Sequence, residues 1–205
     1  MIVLTNYNSD PSWVKKYTKN YLIYDRSDSL EYTHGIPDNK VIRVPNIGSD
    51  NYDRMTWIID NYENLPDVVS LFKGNLFKYV TREEYDIIKD NKTFTPVLTK
   101  NHKEKEGVSY YHDGIYWEIN DGWFLSGLPL QYPQNAKAVA QLMGISKMKY
   151  LPFAPGCNYI LPKANILKHP KSLYIKLRDY MGWHRWPAEA AVVERGLYTL
   201  WKDLN

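Results

Sequence analysis

The chain has 205 residues, and its hydrophobic content of 44% with 24% charged residues fits one soluble globular domain and excludes a disordered or low-complexity protein. A net charge of +3 is too small to argue for nucleic acid. The single cysteine, Cys157, excludes an internal disulfide framework and fits a reducing compartment, so a cytoplasmic location is expected. No apolar run approaches the ~18 residues of a membrane span, and Ile2-Val3-Leu4 is too short for a signal-peptide core.

In chain order, Ile2–Thr5 reads as a first strand ending in Asn6-Tyr7-Asn8. Ser9 or Asp10 is expected to cap a helix with Pro11 in its first turn and Trp13, Val14 and Tyr17 on one face. Tyr21–Tyr24 is a second strand, followed by the polar run Asp25-Arg26-Ser27-Asp28. The most legible unit spans Val41 to Asn75. There, Val41–Val44 is a β-branched run stopped by Pro45, and Asn46–Asp50 is a turn with Gly48 at positive φ and Ser49 or Asp50 as N-cap. Met55, Ile58, Ile59 and Tyr62 repeat at helical spacing until Asn64-Leu65-Pro66-Asp67 ends the helix. Val68–Phe72 has the length of a buried central strand, closed by the polar turn Lys73-Gly74-Asn75. Strands alternating with helices or loops predict one α/β domain with a mostly parallel sheet flanked by helices. In such sheets ligands gather outside the carboxyl ends of the strands. Residues 1–80 would then form a nucleotide-binding half of a single domain over residues 1–205.

Further on, Thr81 and Glu84 predict a capping box for a helix through Lys89. The Lys-rich segment Asp90–Gly107 reads as an exposed, mobile loop. Val108–Glu118 predicts a hairpin around His112-Asp113-Gly114, and Asn120-Asp121-Gly122 a turn. Phe124–Pro133 reads as an irregular crossover, Asn135–Met143 as a helix, and Tyr159–Leu161 as a strand after Pro155–Asn158, with Pro162 opening another helix. Ser172–Met181 and Pro187–Lys202 show helical patterns, the second with Ala190, Val193, Leu197, Leu200 and Trp201 on one face.

Several of these segments carry a family resemblance. Asn6-Tyr7-Asn8, Tyr24–Asp28, Asn46-Ile47-Gly48, Ile59–Asp67, Pro155-Gly156 and Glu194-Arg195 resemble the DUF3431 family over nearly the whole chain. That family is similar to small GT-A-type glycosyltransferases, so the resemblance implies sugar transfer from a nucleotide-activated donor, a UDP-sugar first, to a glycan or small acceptor hydroxyl. Such an enzyme needs a base pocket, a hold on the diphosphate and a carboxylate beside the acceptor, and the resemblance makes residues 1–80 the nucleotide-sugar half and residues 108–205 the acceptor half.

Asn6 and Asp25 at adjacent strand ends are candidates for the uracil edge or ribose, with Tyr7 stacking. The alternative for both is the capping of turns. Relatives of the GT-A type hold a divalent metal through an Asp-x-Asp pair, and this sequence has none. A manganese or magnesium ion would come with the donor diphosphate, and no protein ligand for it is assigned. At the corresponding place stands Lys73-Gly74-Asn75, where a cation offsets phosphate charge directly and Gly74 permits close backbone approach. Arg26 and Arg54 are further donor-side candidates, with a solvated helix face as the alternative for Arg54, and Asn46 and Gly48 complete the donor set.

On the acceptor side Glu194 is the first choice as general base, with Asp113, Asp121 and Glu189 as alternatives. Glu194-Arg195 could instead anchor its helix. Trp183, His184 and Trp186 are candidates for the acceptor cleft, in keeping with an aromatic content of 15%. Two other functions stay open. One is glycosylation of a modified DNA base, with the Lys-rich loop on phosphates. The other is a binding module without turnover.

Overall fold

The computed structural model describes residues 1–33 and 35–202. The ends of the expected acceptor half, residues 203–205, lie outside the described residues. A six-stranded sheet forms the centre, built from β1 (Ile2–Asn6), β2 (Tyr21–Asp25), β3 (Val41–Arg43), β4 (Val68–Lys73), β5 (Thr95–Pro96) and β9 (Tyr159–Pro162), in the order β3-β2-β1-β4-β9-β5. A second sheet is antiparallel and three-stranded, β6 (Ser109–His112), β7 (Ile115–Ile119) and β8 (Tyr150–Pro152).

The four strands β3, β2, β1 and β4 run parallel, but β9 pairs antiparallel with β4 and β5 antiparallel with β9. The mostly parallel sheet expected from the strand–helix alternation is therefore corrected to a mixed one. The alternation holds only up to β4. Beyond it the chain makes the second sheet and returns as β9 from the opposite direction. The Asp90–Gly107 segment is likewise more than an exposed loop, because β5 lies in it and Val97 is fully buried.

Both faces of the large sheet are covered. Along β1, Ile2 and Leu4 pack with Ile23, Phe72, Trp13 and Tyr85 on one side. Val3, one residue out of phase, packs on the other with Val69, Leu71, Met55, Trp57 and Ile58. Those last three come from α1 (Ser49–Asn61), the helix whose period was legible; a 3-10 turn over Tyr62–Asn64 carries it to the breaking Pro66. Its N-cap is Gly48 at φ 67°, not Ser49 or Asp50. A Cβ on Gly48 would lie 2.5 Å from the Tyr52 Cβ, so both the backbone angle and the space demand glycine.

The helix expected after Pro11 is only a 3-10 turn over Ser12–Lys16, since the short connection to β2 leaves no room for more. The capping box at α2 (Arg82–Ile88) forms as read, Glu84 N donating to Thr81 Oγ1 and Thr81 N to Glu84 Oε2. The remaining helices are α3 (Asn135–Leu142), α4 (Lys163–Leu167), α5 (Lys171–Met181) and α6 (Ala188–Trp201). On α6 the predicted face of Ala190, Val193, Leu197, Leu200 and Trp201 is buried. No helix among the described residues is long and apolar enough to cross a membrane.

Candidate functional site

Strand order reverses between β1 and β4: β1 leads to β2 on one side, while β3 leads across to β4 on the other. At that switch point, outside the carboxyl ends, lies a crevice of about 190 Å³. Its floor comes from Thr5, Lys73, Gly74 and Asn75 at the strand ends, and its walls from Tyr7 and Ser9, Ser49 and Asp50 of α1, and Trp186.

The floor is built tightly. Gly74 N donates to Thr5 O at 2.9 Å and Trp13 Nε1 donates to Gly74 O at 2.7 Å. A Cβ on Gly74 would fall on Asn6 Oδ1, so glycine here lets the two strand ends meet. Asn158, just before β9, accepts from Lys73 N through Oδ1 at 2.8 Å. Lys73 Nζ turns into the crevice, 2.8 Å from Asp50 Oδ2 and 5.4 Å from the centre of the Tyr79 ring. Burial works to deprotonate this lysine, but Asp50 and then Glu194 outweigh it and hold its pKa above the ordinary value. Asp50 answers in kind. Burial raises it, yet Lys73 and Arg54 keep it below the usual carboxylate range.

One wall is set by Arg185. It reaches the Tyr7 hydroxyl, lies 4.6 Å over the Tyr7 ring and 4.3 Å over Trp186, and takes the Asn46 amide oxygen as acceptor at 2.8 Å from Nε. The Tyr7 hydroxyl also donates to Asp28 Oδ2 at 3.0 Å. Behind this wall, Gly48 N donates to His184 O at 2.7 Å and Ser49 N to Arg185 O at 3.0 Å, so the starts of α1 and α6 are tied together.

The structure sorts the predicted donor residues into two groups. Tyr7, Lys73, Gly74 and Asn75 line the crevice, while Asn46 and Gly48 support its wall. Asn6, Asp25, Arg26 and Arg54 are buried and bonded inward. Asn6 Nδ2 donates to Asp25 Oδ1 at 3.0 Å, Ser9 Oγ donates to Asn6 Oδ1 at 2.6 Å, and Arg43 pairs with Asp25 Oδ2. Asp25 Oδ1 also accepts from Ser27 N at 3.4 Å, the turn capping given as its alternative, while Asn6 braces its strand end against the next. Arg26 is sealed against Asp53, its Nε 3.0 Å from Oδ2. Arg54, with no exposure, donates to Asn51 Oδ1 at 3.1 Å and to Gly156 O at 3.4 Å, so it holds α1 to the turn before β9 instead of facing solvent.

Among the acceptor-side candidates, Glu194 keeps 28% of its side chain exposed and adds the second negative field at Lys73. Its carbonyl accepts from the Cys157 thiol at 3.2 Å. The helix anchor is its neighbour: Arg195 Nε donates to Glu118 Oε1 at 2.6 Å, and the guanidinium lies 3.9 Å over the Phe124 ring. Glu189 is fully buried in the first turn of α6, with neither oxygen bonded among the described residues. Asp113 sits 85% exposed at the β6–β7 turn beside His112, and Asp121 Oδ1 accepts from Trp123 N; neither joins the crevice. Of the aromatic trio only Trp186 lines it, 53% exposed, while the Trp183 ring lies tilted against that of His184, 5.5 Å between centres, and the His184 Nδ1 accepts from Trp186 N.

Thr5, Ser9, Ser49, Asp50 and Arg185 are the site residues that sequence reasoning passed over as ligand contacts. Asp50 carried a signal, as a carboxylate at the start of a helix following a strand, but its pairing with Lys73 across 23 positions has no local signature. The one carboxylate lining the crevice, Asp50, is paired with an ammonium, and among the described residues no group of three or more His, Cys, Asp or Glu side chains gathers to hold a metal ion.

Compared with known proteins, the chain matches no family model, no curated protein and no solved structure.

Proposed function

We propose that the protein is a glycosyltransferase that binds a nucleotide-activated sugar over the junction of β1 and β4, in a GT-A-like arrangement of that sheet. The observation that supports this most is the coincidence of the crevice with the strand-order reversal, where open α/β sheets bind nucleotides. Its chemistry suits the same ligand. Lys73 is a fixed ammonium held ready by Asp50, and a donor diphosphate competes with that carboxylate for it. Tyr7 and Trp186 offer flat faces to a base or sugar ring.

Glu194 is partly exposed and acts on the same ammonium, so it is the group to take the proton of an acceptor hydroxyl on a glycan or small molecule. The uracil contact assigned at first to Asn6 and Asp25 passes in this reading to Tyr7 and the neighbouring backbone, since both side chains are spent inward. A metal, if the donor brings one, is held by the phosphates, and none of these roles requires it.

The test is a thermal-shift panel of nucleotide sugars with and without a chelator, followed by turnover. A true donor raises the melting temperature by mass action, and Lys73→Gln removes that rise. Glu194→Gln leaves donor binding intact and cuts turnover by about 100-fold. Stabilisation that survives Lys73→Gln would refute the placement of the diphosphate. Stabilisation without turnover in the wild type would leave a binding module.

A further inference from the structure

The crevice is too small for the ligand assigned to it. Sites for small organic ligands enclose roughly 300–1,000 Å³, and the crevice offers about 190 Å³. Two of its floor residues serve a second cavity, however. Gly74 and Asn75 also line a second recess, of about 440 Å³, on the other side of the same turn.

That recess has an uncommon charge. Lys16, Lys78 and Arg82 all border it, and among the described residues none of the three forms an ion pair. The acid on its rim, Asp10, accepts from Ser12 N at 2.8 Å and so closes its own turn. The whole chain carries 26 cations against 23 acids, so three unopposed cations in one hollow are a local excess.

The hollow is also preorganised. The Arg82 guanidinium lies 4.1 Å over the Phe77 ring, which fixes its plane, and among the described residues its N–H groups make no hydrogen bond. Phe77 is itself wedged edge-on against Trp13 and Tyr85, at 5.1 and 6.0 Å, and Trp13 is pinned by its bond to Gly74. One cation fixed on an aromatic floor, with two lysines bordering the same recess, suits an anion with several acceptor oxygens, which draws charge-assisted bonds from guanidinium and ammonium together.

We infer that the Lys16–Lys78–Arg82 recess is a phosphate-binding site continuous with the crevice through Gly74–Asn75. This rests on the transferase reading only for the source of the phosphate. The group belongs either to the donor, whose diphosphate then spans the turn, or to a phosphorylated acceptor.

Calorimetric titration of the full chain with inorganic pyrophosphate, UDP and glucose 6-phosphate tests it. The proteins compared are the wild type, a Lys16→Gln/Lys78→Gln/Arg82→Gln triple variant, and Lys73→Gln. The three substituted side chains are exposed, so the fold is expected to persist, and circular dichroism checks it. Pyrophosphate should bind the wild type, weaken at least ~10-fold in the triple variant, and weaken with added salt. Lys78→Arg, which keeps the charge, should retain most of the affinity.

If UDP weakens in the triple variant, the donor supplies the phosphate. If UDP is unchanged while glucose 6-phosphate is lost, the acceptor does. Pyrophosphate that fails to bind the wild type, or binds the triple variant equally well, overturns the site. The crevice reading fails separately, on UDP affinity indifferent to Lys73→Gln.

Discussion

Two ion pairs stand one helical turn apart on α1, and they differ in every respect that matters for function. Asp53 meets Arg26 with both side chains 2% exposed, whereas Asp50 meets Lys73 with 18% and 22% exposed. In the first pair burial dominates and lifts Asp53 to about 7 despite the guanidinium beside it. In the second the cations win and Asp50 stays below its ordinary value. The same residue type on the same helix therefore serves as a sealed joint in one place and as an exchangeable partner in the other. What separates them is access: Arg26 Nη1 also donates to Ile47 O and is closed off under the turn, while Lys73 opens on the crevice.

The comparison breaks most visibly at Arg26. Arg26→Ala leaves the Asp53 carboxylate buried without its partner and should cost about 3–5 kcal/mol in denaturant unfolding. Replacing both partners with apolar side chains of similar volume, Arg26→Met with Asp53→Leu, should recover most of that loss. If the double variant is no better than the single one, the joint contributes more than the pairing of two charges.

A pH series sharpens it next. The folded-state value of Asp53 lies above the ordinary 3.8, so the folded protein holds that proton more tightly than the unfolded chain. The stability it contributes is full below about pH 4 and is lost as pH rises through about 7, by roughly 2–4 kcal/mol. Asp53→Asn should flatten the unfolding free energy across that window. Asp50 has the opposite sign: its contribution is present above the ordinary carboxylate value and is lost as pH falls through the depressed one. Asp50→Asn should leave the neutral window alone and remove stability loss only on the acid side.

The smallest expected change is at Lys73. Lys73→Gln should cost about 1–2 kcal/mol in stability, between the exposed and buried limits for ion pairs, while abolishing ligand stabilisation. A loss as large as that of Arg26→Ala would make the two pairs alike and remove the functional distinction.

Much of this fold was legible where one physical rule acts alone. The α1 period, the Thr81–Glu84 capping box and the apolar runs of β1, β2 and β4 all follow from local pattern, and each forms close to its expected bounds. What escaped depends on distant partners. β5 is two residues in a lysine-rich stretch, and only its pairing with β9 makes it a strand. The three-residue β8 is defined by β7 in the same way. The site was half legible for a related reason. A polar residue at a strand end looks the same in sequence whether it faces a ligand or a neighbour. Asn6 and Asp25 turned to each other because Gly74 brings the adjacent strand end against them. Lys73 instead pairs with Asp50 at 2.8 Å across the crevice and keeps 22% of its side chain exposed there.

The insertion of β9 between β4 and β5 also has a consequence for the order in which the molecule can be assembled. A ribosome releases β1 to β4 early, but β4 then offers a bare hydrogen-bonding edge until the residues near Tyr159 emerge. The backbone bonds from Gly48 and Ser49 to His184 and Arg185 must wait longer still. Contacts so far apart in the chain are slow to close. A nascent chain of the first half therefore carries Lys73 and Gly74 on an unfinished sheet, and only the last quarter of synthesis supplies the Trp186 wall against which a ligand could rest.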